Sequence, residues 1–259
     1  MVFIGFSCNK EETQAVSNEN FELTLTKDQI ESVGVLHNEH LTEAIQNFDF
    51  TATKPKVELV SRIKSLGIEG IDGNYLAEGY LETEAQQFKS ELSDQAMVIV
   101  SRIEEGMTNI QNLDAFVSFL ELEEEKVKEI LHGTERSAVM VFISVTKKSA
   151  ELWLPAELGG SGIGYAFMQR LALSYNRDFS FENESKAPSW IGKVLKADGF
   201  AAASGFLVTA AGWAIGSFVA TSAVATGGLS VAVIAAALGA IAGSSAMASG
   251  IMAISLITP

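Results

Sequence analysis

His37 and His40 stand three residues apart, and the chain holds only one other histidine, His132. On a single helix that spacing offers two imidazoles to one ion. A zinc site needs three or four protein ligands, and no third is marked here. The pair therefore reads as a polar cluster orienting its helix against the body, with His37 and Asn38 bonded to backbone groups nearby. Gly159-Gly160-Ser161-Gly162-Ile163-Gly164 has the outline of a phosphate loop. It lacks the lysine and Ser/Thr of that pattern, and Phe167 stands where the dinucleotide fingerprint needs its last glycine. The preceding Leu154-Pro155-Ala156-Glu157 is not a strand, so the stretch reads as a flexible linker. Asp72 and Asn74 open like a calcium loop, but Leu76 and Ala77 occupy the fifth position and the required glycine. No Ser-His-Asp order marks a nucleophile. These patterns imply no catalytic residue, no metal and no cofactor.

Cys8 is the only cysteine, so an intramolecular disulfide framework is excluded. It closes the short apolar run Phe3-Ile4-Gly5-Phe6-Ser7. A secretory signal has a basic start and an apolar core of about 7–15 residues. Here the basic start is absent and the core is short, as in a clipped signal over residues 1–8 whose true start lies upstream. Gly5-Phe6-Ser7-Cys8 resembles a bacterial lipobox, which implies lipidation of Cys8. The following Lys10, Glu11 and Glu12 resemble the export signal of surface lipoproteins of Bacteroidota. Residues 9–25, polar and without periodicity, read as a tether.

From Thr26 the apolar residues follow helical spacing. Ile30, Val33, His37, Leu41, Ala44 and Phe48 share one face, and Thr26 with Gln29 forms a capping-box pattern. Pro55 opens a second helix that Gly67 closes. Further helices are expected over 74–91, from Ser93-Asp94 to Glu105, and over 114–132. In the last of these, Glu121, Glu123, Glu124 and Glu125 form an outward, solvated face. Residues 137–153 read as a sixth helix, although Val139–Ile143 is also compatible with a strand. The fold class is mainly α: an acidic helical body over 26–153, a linker with connecting helices over 154–198, then a hydrophobic glycine-rich hairpin over 199–259.

The last segment is set apart by charge. The chain has a formal net charge of -14 and a pI near 4.7, yet nothing after Asp198 is charged. Thr226-Gly227-Gly228 divides the segment into two arms, 200–225 and 229–257. Each exceeds the about 20 residues a helix needs to span a bilayer. Gly212 and Gly216 in the first arm, and Ala235, Gly239 and Gly243 in the second, recur at the four-residue spacing that lets helices approach closely. Gly212, Gly216, Gly239 and Gly243 are therefore the expected packing residues of an antiparallel hairpin, with self-association as a further use. Lys186, Lys193 and Lys196, just before the arms, are placed to meet anionic headgroups. The acidity excludes nucleic acid as a partner, since phosphate binding needs a basic patch.

Val33-Gly34-Val35-Leu36-His37-Asn38 resembles the VGxLHN opening of a group of Bacteroidota lipoproteins. Gly192-Lys193-Val194-Leu195-Lys196-Ala197-Asp198 is similar to the GKxxxAD segment that precedes their Ala/Gly-rich tails. The resemblance implies export, anchoring and a hydrophobic tail, and no reaction. The expectation is a non-enzymatic lipoprotein of the bacterial cell envelope, at the outer membrane or surface, with membrane lipid as partner. The alternative is an antibacterial or pore-forming effector with a bacteriocin-like tail.

Overall fold

The computed structural model describes residues 23–68, 74–177, 186–220 and 231–258; for 212–220 and 231–232 only the helical backbone is described. Cys8, Lys10, Glu11 and Glu12 lie outside the described residues. Within them the chain forms nine α-helices and no strand. They are α1 (Lys27–Gln46), α2 (Pro55–Ser65), α3 (Tyr80–Ser90), α4 (Asp94–Met107), α5 (Leu113–Ile130), α6 (Gly133–Trp153), α7 (Ile163–Ser174), α8 (Ser189–Ala220) and α9 (Val231–Ser255).

Local chemistry sets most of these boundaries. The Thr26 side chain accepts from the Gln29 N–H while the Gln29 side chain accepts from the Thr26 N–H, so the expected capping box starts α1. Pro55 occupies the first turn of α2, where its missing N–H costs nothing. Gly67, at φ +74°, takes the left-handed conformation that ends it. Ser93 and Asn112 cap α4 and α5 by accepting from the N–H groups of Ala96 and Ala115. The β-compatible run Val139–Ile143 lies inside α6, and all five of its residues are buried. Burial on every side removes the polar face that would have betrayed a helical period.

Four helices make the centre. α1 packs on α6 and α9, and α8 packs on the same two, so the four close into a ring. α2 covers α9, α3 covers α8, α4 and α5 cover α8 and α6, and α7 lies against α6 and α1. The expected C-terminal hairpin is present, and its arms are half of this central bundle. The apolar windows Ser189–Ala211 and Val233–Ser255 are long and apolar enough to cross a membrane, yet 67% and 72% of them is buried within the protein. The first arm also begins earlier than its composition suggests, at Ser189, because Trp190, Ile191, Val194 and Leu195 are buried on the body side.

The hairpin's close approaches differ from the expected ones. A β-carbon on Gly239 would meet nothing within 4 Å among the described residues. Gly243 is buried; Gly212 and Gly216 lie where only backbone is described. The tight contacts are made to the body. A β-carbon on Gly250 would stand 2.1 Å from Leu59 Cδ2 of α2, and one on Gly199 would stand 2.7 Å from the Phe142 ring of α6. Between the arms, Gly205 faces Ile241, and Ser245 Oγ donates to the Asp198 carbonyl at 2.8 Å. These contacts set an antiparallel register.

Residues 154–162 are tied down, unlike the expected flexible linker. Ser161 N–H donates to the Glu151 carbonyl, Gly162 N–H to Leu154 and Gly160 N–H to Pro155. Gly159 and Gly162 take positive φ, and a β-carbon on Gly160 would fall 2.1 Å from the Leu154 carbonyl oxygen. The glycines serve a tight corner between α6 and α7.

Candidate functional site: a buried polar layer

Where the four central helices meet, each contributes a polar side chain to one layer. α1 supplies His37, α6 supplies Ser149 and Trp153, α8 supplies Asp198, and α9 supplies Ser249; all five have 0% exposure. Asp198 Oδ2 accepts a short hydrogen bond from Ser149 Oγ and a second, at 2.9 Å, from Ser249 Oγ. Ser249 in turn accepts from Trp153 Nε1 at 2.9 Å. His37 Nε2 lies 3.6 Å from the same carboxylate oxygen, beyond hydrogen-bond length. Both His37 nitrogens and Asp198 Oδ1 make no hydrogen bond to the described residues.

Burial dominates the electrostatics. Desolvation, with a smaller push from His40, holds His37 down at about 3. Desolvation raises Asp198 well above the usual carboxylate range, although the donors around it pull the other way. Burial thus disfavours the charged form of both groups, pushing the imidazole toward neutrality and the carboxyl toward its protonated form. Glycines let the helices close around the layer. A β-carbon on Gly34, one turn before His37, would come within 2.9 Å of the Ser144 carbonyl of α6. Asn38 Nδ2 donates to the Lys148 carbonyl at 2.7 Å, and Ser144 Oγ donates back to the Ile30 carbonyl at 2.9 Å. Together these bonds lock α1 onto α6.

A nucleophilic triad runs from serine hydroxyl to imidazole to carboxylate. Here both serines donate directly to the carboxyl group, and none is bonded to His37. The arrangement therefore activates no hydroxyl. Its chemistry is adhesive, because an unpaired polar group buried between these helices would cost about 1–3 kcal/mol. The polar set matches one packing of the four helices and penalises rotations that separate its members.

The two sequence motifs thus meet in space: His37 of Val33–Asn38 faces Asp198 of Gly192–Asp198. The expected bond from His37 to a nearby backbone group is not made, because its ring is buried in the polar layer; Asn38 makes its own, to the Lys148 carbonyl. His40 is half-buried, with its pKa lowered chiefly by desolvation. No group of three His, Cys, Asp or Glu side chains among the described residues is placed to hold a metal. Ser149, Trp153 and Ser249 carry no motif and escape sequence reasoning. One usable signal was the pair Ser245 and Ser249, one turn apart in a helix otherwise made of apolar and small residues.

The acid run on α5 needs one correction. Glu123 is 2% exposed. It takes Arg102 Nη2 at 2.8 Å and Lys126 Nζ at 2.7 Å, so it pins α5 to α4 and does not belong to a solvated face.

Comparison of the chain with protein-family models, with curated proteins and with solved structures finds no match.

Proposed function

We propose that this protein is a non-enzymatic lipoprotein of the bacterial cell envelope, held by lipid on Cys8 and by the hairpin α8–α9. The observation that carries the reading is where the hairpin leaves the body. Its base is core, but Val208 is 59% exposed and Val233 is 45% exposed. Ala211, Ala235 and Ala236 beside them are exposed as well. This end of the molecule is apolar and uncharged on both arms, whereas the body carries the whole net charge of -14. One acyl chain alone binds a membrane marginally, and a second signal makes attachment stable. The apolar end of the hairpin is that second signal.

The test is flotation of the full-length chain with lipid vesicles, with Cys8→Ser combined with Val208→Asp and Ala236→Asp. Both aspartates fall on exposed positions, so folding is retained. Each charge costs about 2.5–3.5 kcal/mol at the centre of a membrane helix, and less nearer the interface. Cys8→Ser alone should still float, and the triple variant should remain in solution. Flotation of both to the same extent would remove the hairpin from the reading.

The pore-forming effector remains a second reading, favoured by one feature: the apolar windows of α8 and α9 are each long enough to cross a bilayer once out of the body. Dye release from vesicles by the full chain would support it, and binding without release would count against it.

A further inference from the structure

We propose that the groove between α1 and α5, floored by α6, docks an amphipathic helix of a partner protein. That helix is apolar along its middle, acidic at one end and basic at the other. The proposal stands apart from the membrane reading, because no residue of α8 or α9 lines the groove.

The groove follows from the helix directions. α1 and α5 both pack on α6, and neither packs extensively on the other. α1 runs parallel to α6: Leu25 N–H donates to Ser137 Oγ, and Asn38 Nδ2 donates to the Lys148 carbonyl. α5 runs antiparallel to α6, joined to it by the short connection 131–132. The space between the two flanking helices is a groove of about 650 Å³. Ser137, Met140, Ser144, Lys148 and Glu151 of α6 line it at spacings of three and four. A second helix packs along such a stripe.

The middle of the groove is apolar. Its two serine hydroxyls are engaged by α1, in bonds with the Leu25 N–H and the Ile30 carbonyl. Ile30 and Met140 are buried at its floor. Val35 of α1, 42% exposed, and Val117 of α5, half-buried, form its walls. Val35 is the one exposed residue of the Val33–Asn38 segment.

Charge says what fits. Two charges along the groove, Arg136 and Glu121, have no ion pair among the described residues. The others are held in pairs, Lys147 with Glu124 at 2.8 Å among them. Arg136 adjoins Ser137 and so lies at the Leu25 end. Lys147 stands eleven residues beyond it on α6, about 16 Å of helix. Glu121 is one turn further along the antiparallel α5 than Glu124, at the far end. The two open charges are thus opposite in sign and at opposite ends. A helix with its acidic end by Arg136 and its basic end by Glu121 pairs both, and the planar guanidinium suits a carboxylate. An acyl chain would lay hydrocarbon against the Lys147–Glu124 pair, where a helix offers polar side chains.

The experiment titrates the full chain with fluorescein-labelled synthetic helices of about 18 residues, long enough to cover both ends of the groove, and follows fluorescence anisotropy. All three peptides carry leucine at heptad spacing. One has an acidic and a basic end, one is basic at both ends, and one is acidic at both. The bipolar peptide should bind the wild type about tenfold more tightly than either other. Arg136→Glu leaves two acidic ends and should transfer the preference to the doubly basic peptide. Val35→Asp should weaken binding of the bipolar peptide by about tenfold or more. Far-UV circular dichroism checks that both variants stay folded. Tightest binding of the doubly basic peptide to the wild type would mean attraction to the net charge of -14 alone and would overturn the proposal. Binding that neither substitution changes, or no saturable binding of the bipolar peptide, would overturn it as well. A dimer of the full chain in sedimentation, broken by Val35→Asp, would give the groove to a second copy in place of a partner.

Discussion

Replacing Asp198 by Asn keeps the shape of the buried layer and removes one of its two titrating groups. The unfolded chain carries His37 near 6.5 and Asp198 near 3.8. Between pH 3.8 and 6.5 the unfolded pair therefore holds one proton, on the imidazole. Where burial keeps the raised Asp198 protonated, the folded pair also holds one, on the carboxyl group. Equal proton counts give the wild-type layer no pH slope in this window. In Asp198→Asn the unfolded state still binds a proton at His37, whereas the folded state binds none until pH approaches 3. The largest cause of that low value is burial, which the substitution leaves in place. A depressed folded pKa means stability is full above 6.5 and lost as pH falls. The slope is one proton, about 1.4 kcal/mol per pH unit, so Asp198→Asn should lose roughly 2–3 kcal/mol relative to wild type between pH 6.5 and 4.5. His37→Gln should do the opposite. Its raised Asp198 makes stability fall as pH rises above 3.8, so the two variants diverge in opposite directions from a flat reference. Urea unfolding followed by far-UV circular dichroism at half-unit steps of pH measures both. Profiles parallel to wild type would refute the dry, one-proton layer. A gain in the relative stability of Asp198→Asn on acidification would mean that His37 is charged inside the fold.

Three further outcomes follow from the packing. Gly192→Ala places a β-carbon 2.4 Å from the Met107 carbonyl oxygen; overpacking of about 1–3 kcal/mol should outweigh the gain in helix propensity and lower the urea midpoint. Gly239→Ala meets nothing within 4 Å among the described residues and should stabilise by up to about 1 kcal/mol, whereas a lower midpoint would mark Gly239 as a packing contact. Glu123→Gln, which weakens the bonds to Arg102 and Lys126, should cost about 1–3 kcal/mol, and a change within 0.5 kcal/mol would return Glu123 to the solvated face.

What was legible in the chain was local. Capping chemistry at Thr26, Ser93 and Pro55, and the 3.6-residue period of half-buried helices, placed α1, α2 and α4 closely. α6 was ambiguous because a helix buried on all sides has no polar stripe. The hairpin was found by its lack of charge, but its setting was not. Composition cannot tell lipid from a protein core as an apolar surrounding. The polar layer was invisible for a related reason. Its members come from four helices and are joined only by tertiary packing, with Ser149 and Ser249 a hundred residues apart. Asp198 ends the Gly192–Asp198 segment, and its burial comes from α9 packing against it.

The central ring joins the first helix to the last, and this sets a timetable for the chain's birth. α1 packs against α9, whose buried residues run to Ile254. At about 5–20 residues per second of synthesis, α1 waits about 10–45 s before its final neighbour exists. Until then the body has an open seam where α8 and α9 belong, and no shorter product can close it.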